Sequence, residues 1–442
     1  MASRFTKIYY IRNNAATYEA WQDNEAAATY TGSSLVTDVL NAIETANSSG
    51  NFMLLFDVGT FDMGTENWTL NTVSNVTLAG AGVDMTTIQN STNAANDSEP
   101  FSFTTVDHIT IRDMTVSAGG TARSTSDALD FDAGDDCLVE RVRVILSRGD
   151  GIVFDGKDGT LSQRNTVRDC EVTGADLSGI QLLAADDNIV TGNRIHGNGE
   201  SGIKLNRDTS PAQDSSRNII EANSIYENDE AGIEILECSR NIVRGNQIWN
   251  NGKGAGTYDD GIVIDDFATA GIGADDNIIT GNQIFDTLGT PTQDRAININ
   301  DAAVTGTIIT GNIIGPHVTS DEAVINDLAA DTIIKGNHGY PDKAALEVSA
   351  AHTLTITDPG VLAVDTSGGT VAVTLPDNAA ATGRSYIVRR DGASNATVTR
   401  AGADTFDDAA TVKTLGSDGA AIGIVSIGDT EWKIVSTEGT VT

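Results

Sequence analysis

Along much of the chain, apolar and polar residues alternate in short bursts set off by Asn and Gly. The stretch NIVTGNRIHGNGESGIKL from Asn188 is echoed by NIIEANSIYENDEAGIEIL from Asn218, NIVRGNQIWNNGKGAGTYDDGIVI from Asn241 and NIITGNQIF from Asn277. The shared unit is N-x-I/V-x-x-G/A-N-x-I, a variable turn, then G-I-x-I/L. Ile233 and Ile235, one polar residue apart, show the two-residue period of a strand with one buried face. Asn193, Asn223, Asn246, Asn282, Asn312 and Asn337 recur every 23 to 36 residues, a period that marks a solenoid. Each unit is therefore predicted to be one coil of short strands.

An Asn at an inward turn can hydrogen-bond the same residue one coil away, about 4.8 Å off, which predicts a structural Asn ladder. Cys170 stands at the matching position of an earlier unit, NTVRDCEV. Gly151, Gly179, Gly202, Gly232 and Gly261 open strands where positive φ or close contact between coils is required. Fainter units run back through CLVERVRV and HITIRDMTV to NVTLAGAG and forward to TIIKGNHG. The total is about nine or ten coils, a rod of about 45 Å. Ahead of them, Leu35, Val36, Val39, Leu40 and Ile43 follow a Ser at helical spacing. A short amphipathic helix there would close the end of the solenoid core.

The segment LVTDVLNAIETANSSGNFMLLFDVGTFDM followed by VSNVTLAGAG resembles the start of the pectate-lyase-like right-handed parallel β-helix superfamily, and the Asn units resemble its repeats. After Pro341 the Asn units stop. The phrases DTSGGTVAVTLP and GRSYIVRRDG and a closing WKIV read as six to eight short strands, and they are similar to small C-terminal domains of phage tail and spike proteins. The expected architecture is all-β: residues 1–30 an N-terminal attachment segment, 31–340 the right-handed parallel β-helix with its capping helix, 341–442 a β-sandwich-like domain. The resemblance implies a virion appendage, a tail spike, fibre or capsid turret that meets a host-surface glycan and other virion proteins. Spikes of this type are homotrimers, and a turret would be pentameric.

Charge sharpens this expectation. Asp and Glu number 62 against 27 Lys and Arg, a net charge of −35, and only eight of the cations are Lys. Such a chain would repel nucleic acid, and it stays hydrated where salt screens charge to within a few Å. A high-salt virion surface or extracellular setting is expected, with an ordinary acidic secreted or virion protein as the alternative. Cys137, Cys170 and Cys238 make no disulfide framework and read as small buried hydrophobes. MASRFTKIYYIRNN has no apolar signal stretch, and no run of about 18 apolar residues occurs, so membrane insertion is not expected.

Three constellations are candidates for chemistry. GDDC, Gly134 to Cys137, resembles the paired aspartates of polygalacturonases, although the repeat alignment puts Asp135 and Asp136 on a turn. Aligned G-I-x-I strands place Asp130, Val153, Gln181, Lys204, Glu234, Val263 and Asn298 in one outward row. Asp132, Asp155, Leu183, Asn206, Leu236, Asp265 and Asn300 form the next. Lys204 and Glu234 are the candidate catalytic pair for proton abstraction beside a uronate carboxylate; the competing reading is a cross-strand salt bridge. Gln181, Asn206 and Arg207, with a strip of Tyr226, Trp249, Tyr258 and Phe267, are candidates for glycan binding, the strip being equally readable as packing. No cofactor is assigned, but Asp130–Asp136 or Asp259–Phe267 could supply Ca2+ with hard oxygen ligands. The functional alternatives are an active polysaccharide lyase, hydrolase or epimerase, and a purely structural rod.

Overall fold

A computed structural model of the chain describes residues 7–15, 17–23, 25–90, 99–118, 126–209, 212–254, 258–266, 273–288, 290–315, 325–329, 332–337, 346–354, 361–376, 381, 384–401, 404–407, 409–426 and 431–442. It comprises two compact units, Met1–His338 and Gly339–Thr442.

The first unit is a right-handed parallel β-helix. Three successive coils show its plan: Ile189–Thr191, Arg194–His196 and Ile203–Asn206; Ile219–Glu221, Ser224–Tyr226 and Ile233–Leu236; Ile242–Arg244, Gln247–Trp249 and Ile262–Asp265. Each strand pairs in parallel with its counterpart in the next coil. The first two strands of each coil belong to a 22-stranded sheet and the third to a 12-stranded sheet. Val190, Ile195, Ile203 and Leu205 point inward and are at most 1% exposed, as the alternation requires. Cys137, Cys170 and Cys238 are buried free thiols.

The corners explain the Asn residues. In the ladder already visible in sequence, Asn246 Oδ1 accepts the Asn223 backbone N–H at 2.9 Å and its Nδ2 at 3.0 Å, while Asn246 Nδ2 donates to Ile220 O at 2.9 Å. Two more ladders serve the other corners, Asn165–Asn188–Asn218–Asn241–Asn277 and Asn198–Asn228–Asn251. Just before each Asn of the first ladder, from Asn193 to Asn337, stands a left-handed residue: Gly192, Ala222, Gly245, Gly281, Gly311 and Gly336. That is the origin of the G/A-N phrase, since left-handed φ is strained for a side chain and free for Gly. The glycines that open the third strands have a different cause, close contact. A Cβ on Gly202 would lie 2.5 Å from Ile225 Cγ2 and 2.8 Å from Gly232 O.

At the N-terminal end, Ser34 caps a wide turn, Leu35–Leu40, that leads into the α-helix Asn41–Ala46, and Leu35, Val36, Val39, Leu40 and Ile43 are all at most 3% exposed. The segment before it supplies Lys7–Asn14, Thr17–Gln22 and Tyr30–Gly32 to the large sheet, the first of them parallel to Phe52–Phe56. Inside the early coils, Phe103, Phe131 and Phe154 stack with centroids 4.6 and 4.7 Å apart.

The second unit packs a six-stranded and a four-stranded sheet around one core that includes Leu362, Val388, Phe406, Ile424 and Trp432. Ten strands occur among its described residues, more than the six to eight expected. It mixes parallel pairs, such as Val361–Asp365 with Ser385–Asp391, and antiparallel ones, such as Ser385–Asp391 with Ala421–Ser426.

Candidate functional site

The outward rows of the 12-stranded sheet fall in the register expected from the repeat: Asp130, Val153, Gln181, Lys204, Glu234, Val263 and Asn298 are neighbours in that order. Asp132, Asp155, Leu183 and Asn206 form the adjacent row. Gln181, Lys204 and Asn206 are half-buried. Beyond them the face is covered: Glu234 is 1% exposed, and Tyr258 packs with Ala231, Leu236 and Val263.

Lys204 Nζ lies 3.3 Å from Glu200 Oε2 and 3.5 Å from Glu234 Oε2, and Ser201 Oγ donates to the same Glu234 oxygen at 2.8 Å. Burial pulls the Lys204 pKa down, but Glu234, Glu200 and Glu230 outweigh it, and the ammonium is held more tightly than in a free lysine. Burial raises the Glu234 carboxyl, against the pull of Lys204 and Ser201. This changes the expected roles. A lysine kept charged is no general base near neutral pH, and an acid shut behind Ser201 and Lys204 does not touch a polymer on the surface. The pair is built as a buried cross-coil ion pair, with the Lys204 ammonium as its one half-accessible group.

The other candidate residues separate. Arg207 is buried against Glu237 as an ion pair with N···O 2.5 Å, so it is not presented to a ligand. Tyr258 donates its hydroxyl to Asp265 Oδ2 at 2.7 Å and lies on the Glu234 face, away from Tyr226 and Trp249. Those two sit on the large sheet, across the Asn198–Asn228–Asn251 corner, in a ladder with His196 and Phe285. Centroids are 4.7, 4.4 and 5.9 Å apart, and neighbouring planes lie within 9° of parallel. Tyr226 and Trp249 therefore spend both ring faces on neighbouring rings. The strip stabilises successive coils and offers a ligand only edges, not stacking faces. Phe267 lies outside the described residues.

The GDDC aspartates are a clasp: Arg164 bonds Asp135 and Asp136, both at 2.9 Å. Several carboxylates of the two acidic stretches are engaged by other side chains. Asp132 pairs with Lys157, Asp260 with Asn298 and Asp265 with Tyr258. No group of three or more His, Cys, Asp or Glu among the described residues is placed to hold a metal.

One feature of this face was missed from sequence. Asp127, Asp130, Asp150 and Asp155 gather beside Asp132 and Lys157. Burial, then Glu99, Asp132, Asp127 and Asp155, pushes Asp130 up to about 9. Burial and Asp150 push Asp127 to about 8, and burial with Asp132 and Asp208 pushes Asp155 to about 7. Asp150 stands at about 7, raised chiefly by burial. The aligned rows already contained Asp130, Asp132 and Asp155; what they lacked was burial, which no spacing in the sequence reports.

A rigid coil of parallel strands with a polar, acid-rich lateral face defines the class as a parallel β-helix solenoid. The chain belongs to the right handed beta helix region family, which matches residues 93–261 and 161–337. No curated protein sequence matches it. Among solved structures, the catalytic unit of a thermostable GH87 α-1,3-glucanase from Streptomyces thermodiastaticus aligns at 17% identity over 76% of this chain and 60% of its own, TM-score 0.50. The A-module of mannuronan C-5 epimerase AlgE4 from Azotobacter vinelandii aligns at 17% over 67% and 93%, TM-score 0.46. PfbA, a surface adhesin of Streptococcus pneumoniae, aligns at 12% over 90% and 93%, TM-score 0.49. At these identities the likeness is one of fold.

Proposed function

We propose that this chain is a glycan-binding adhesion protein of a virion surface, a tail spike, fibre or turret working in high salt, and that it reads its ligand on the outer face of the 12-stranded sheet. The observation that carries the reading is the half-buried set Asp130, Gln181, Lys204 and Asn206 on adjoining rows of that sheet. Gln181 and Lys204 stand on neighbouring strands, about 4.8 Å apart, with Asn206 two residues on, and the support is rigid, so little ordering cost attends the capture of a hydroxyl-rich chain. The net charge of −35 supports the high-salt setting. Assembly as a homotrimer, or as a pentamer at a capsid vertex, would multiply weak contacts with a polymer and leave other virion proteins to anchor the rod.

A second reading is favoured by one specific feature, the carboxyls of Asp130 and Asp155. At neutral pH the first is protonated and the second is partly ionised, the split an acid and base pair needs for glycoside cleavage. The two readings part when immobilised protein in molar KCl meets host-envelope polysaccharides, with retention and release of reducing ends or unsaturated uronates followed together. Retention without release, weakened in Gln181→Ala and Lys204→Ala, is expected. Release abolished by Asp130→Asn would establish the enzyme, and neither retention nor release would leave a structural rod.

A further inference from the structure

The first coils carry a cleft that the lateral face does not use. It has a volume of about 670 Å³ and is lined by Tyr10, Ile11, Arg12, Trp21, Leu55, Phe56, Asp57, Ala79, Gly80 and Ala81. The size falls within the range of small-ligand sites. Its floor follows from register. Tyr10 pairs with Trp21 on one side and Leu55 on the other, and Leu55 pairs with Ala79, so one row runs Trp21, Tyr10, Leu55, Ala79 across four strands. Four strands at their ordinary spacing make a strip about 14 Å long. Along it the side chains shrink from indole and phenol to methyl, a slope that makes a cleft and not a flat sheet face.

Tyr10 is 46% exposed, so its ring is open to a ligand. Arg12, two residues on along the same outward face, lies over the Trp21 ring at 5.1 Å and pairs with Asp57 at 3.3 Å. The Asp57 carboxylate is oriented from behind, since its Oδ1 accepts the Val58 N–H at 2.8 Å. The two charged side chains keep 59% and 48% of their surface exposed, so a ligand can reach both without the cost of unburying them.

We propose that this cleft is a second saccharide-binding site, separate from the lateral face. A sugar ring is apolar on its C–H face and carries adjacent hydroxyls on its rim. The exposed Tyr10 ring beside Leu55 supplies a surface for the first, flanked by Trp21 with Arg12 over its ring, in contrast to Tyr226 and Trp249, both of whose faces are filled by rings. The guanidinium of Arg12 donates to one hydroxyl oxygen while the Asp57 carboxylate accepts from the neighbouring hydroxyl. The adjacent donor and acceptor match a diol, and their opposite charges leave the site open to a neutral sugar. Placed in the opening coils, the site would grip one portion of a polymer while the middle coils hold another.

The chain has four tryptophans, and Trp68 and Trp432 are fully buried, so Trp21 and Trp249 are the fluorophores a surface ligand reaches. The full chain in molar KCl is titrated with cello-oligosaccharides, nigero-oligosaccharides and oligogalacturonates up to about 10 mM, ten times the dissociation constant of a weak site. The expected result is a saturable emission change with at least one probe, kept in Trp249→Phe, lost in Trp21→Phe, and moved at least tenfold in midpoint by Asp57→Ala. A change lost in Trp249→Phe and kept in Trp21→Phe overturns the proposal, as does no change with any probe. Polymer retention by the lateral face is independent: Trp21→Phe retains it if that reading holds, and Lys204→Ala leaves the Trp21 response intact.

Discussion

Replacing Asn246 with Ala removes one rung from the middle of the longest Asn ladder. Asn246 Oδ1 is the acceptor for the Asn223 backbone N–H and for Asn223 Nδ2, and Asn246 Nδ2 donates to Ile220 O and to Asn282 Oδ1, at 2.9 to 3.0 Å. Two of the partners retain a second bond, Asn223 Nδ2 to Val190 O and Asn282 Oδ1 from the Asn246 backbone N–H. The Asn223 N–H loses its ladder acceptor, in an interior where Asn223 is 1% exposed. A buried donor left unsatisfied costs about 1–3 kcal/mol, and the lost bond to Ile220 O adds about 1, so a loss of about 2–4 kcal/mol is expected. A solenoid of this length need not unfold in one step, so the local reading is the informative one. Amide exchange at Asn223 should accelerate by about 30- to 1000-fold, with smaller changes a coil further away. Asn337→Ala, at the ladder end where the residue is 7% exposed, should cost less. Exchange at Asn223 within about threefold of the parent would refute the claim that the ladder sets the coil stacking.

Three further outcomes are expected from the buried charges and the net charge. Lys204→Met should destabilise by about 3 kcal/mol because Glu234 is left buried without its cation, and adding Glu234→Gln should restore most of that loss; no recovery in chemical denaturation would mean the pair is not the clamp described. Asp130 and Asp127 stand at about 9 and 8, far above an unfolded aspartate, so the stability they contribute is complete below about pH 4 and falls as pH rises towards those values; Asp130→Asn should flatten the decline of Tm with pH, and an unchanged profile would sink the assignment. With a net charge of −35, Tm should rise by several degrees from low to molar KCl as self-repulsion is screened, whereas a flat or falling curve would argue against the high-salt setting.

The β-helix was legible because its signals are local and repeated: Ile203 and Leu205, Ile233 and Ile235, and the Asn at each turn. Register followed from the repeat alone, and Gln181, Lys204 and Glu234 do stand side by side. The ladder through Asn198, Asn228 and Asn251 went unread because its sequence setting, HGNG, YEND and WNNG, varies where the turn varies. The site was less legible, because its meaning depends on depth and ring orientation. Alternation shows that Tyr226 and Trp249 face outward, but only the stacked geometry shows that their faces are consumed. Likewise Arg207 and Tyr258 carry suitable chemistry in sequence, and burial against Glu237 and Asp265 removes them from any surface.

The central claim is that glycan is read on the lateral face of the 12-stranded sheet, and hydroxyl-radical footprinting of the full chain with bound host-envelope polysaccharide tests it most directly. The account predicts protection in Ile180–Leu183 and Ile203–Asn206, with the Gln247–Trp249 and Gln283–Phe285 ladder unchanged. Protection confined to that ladder, with the two lateral strands as reactive as in the free protein, would contradict it.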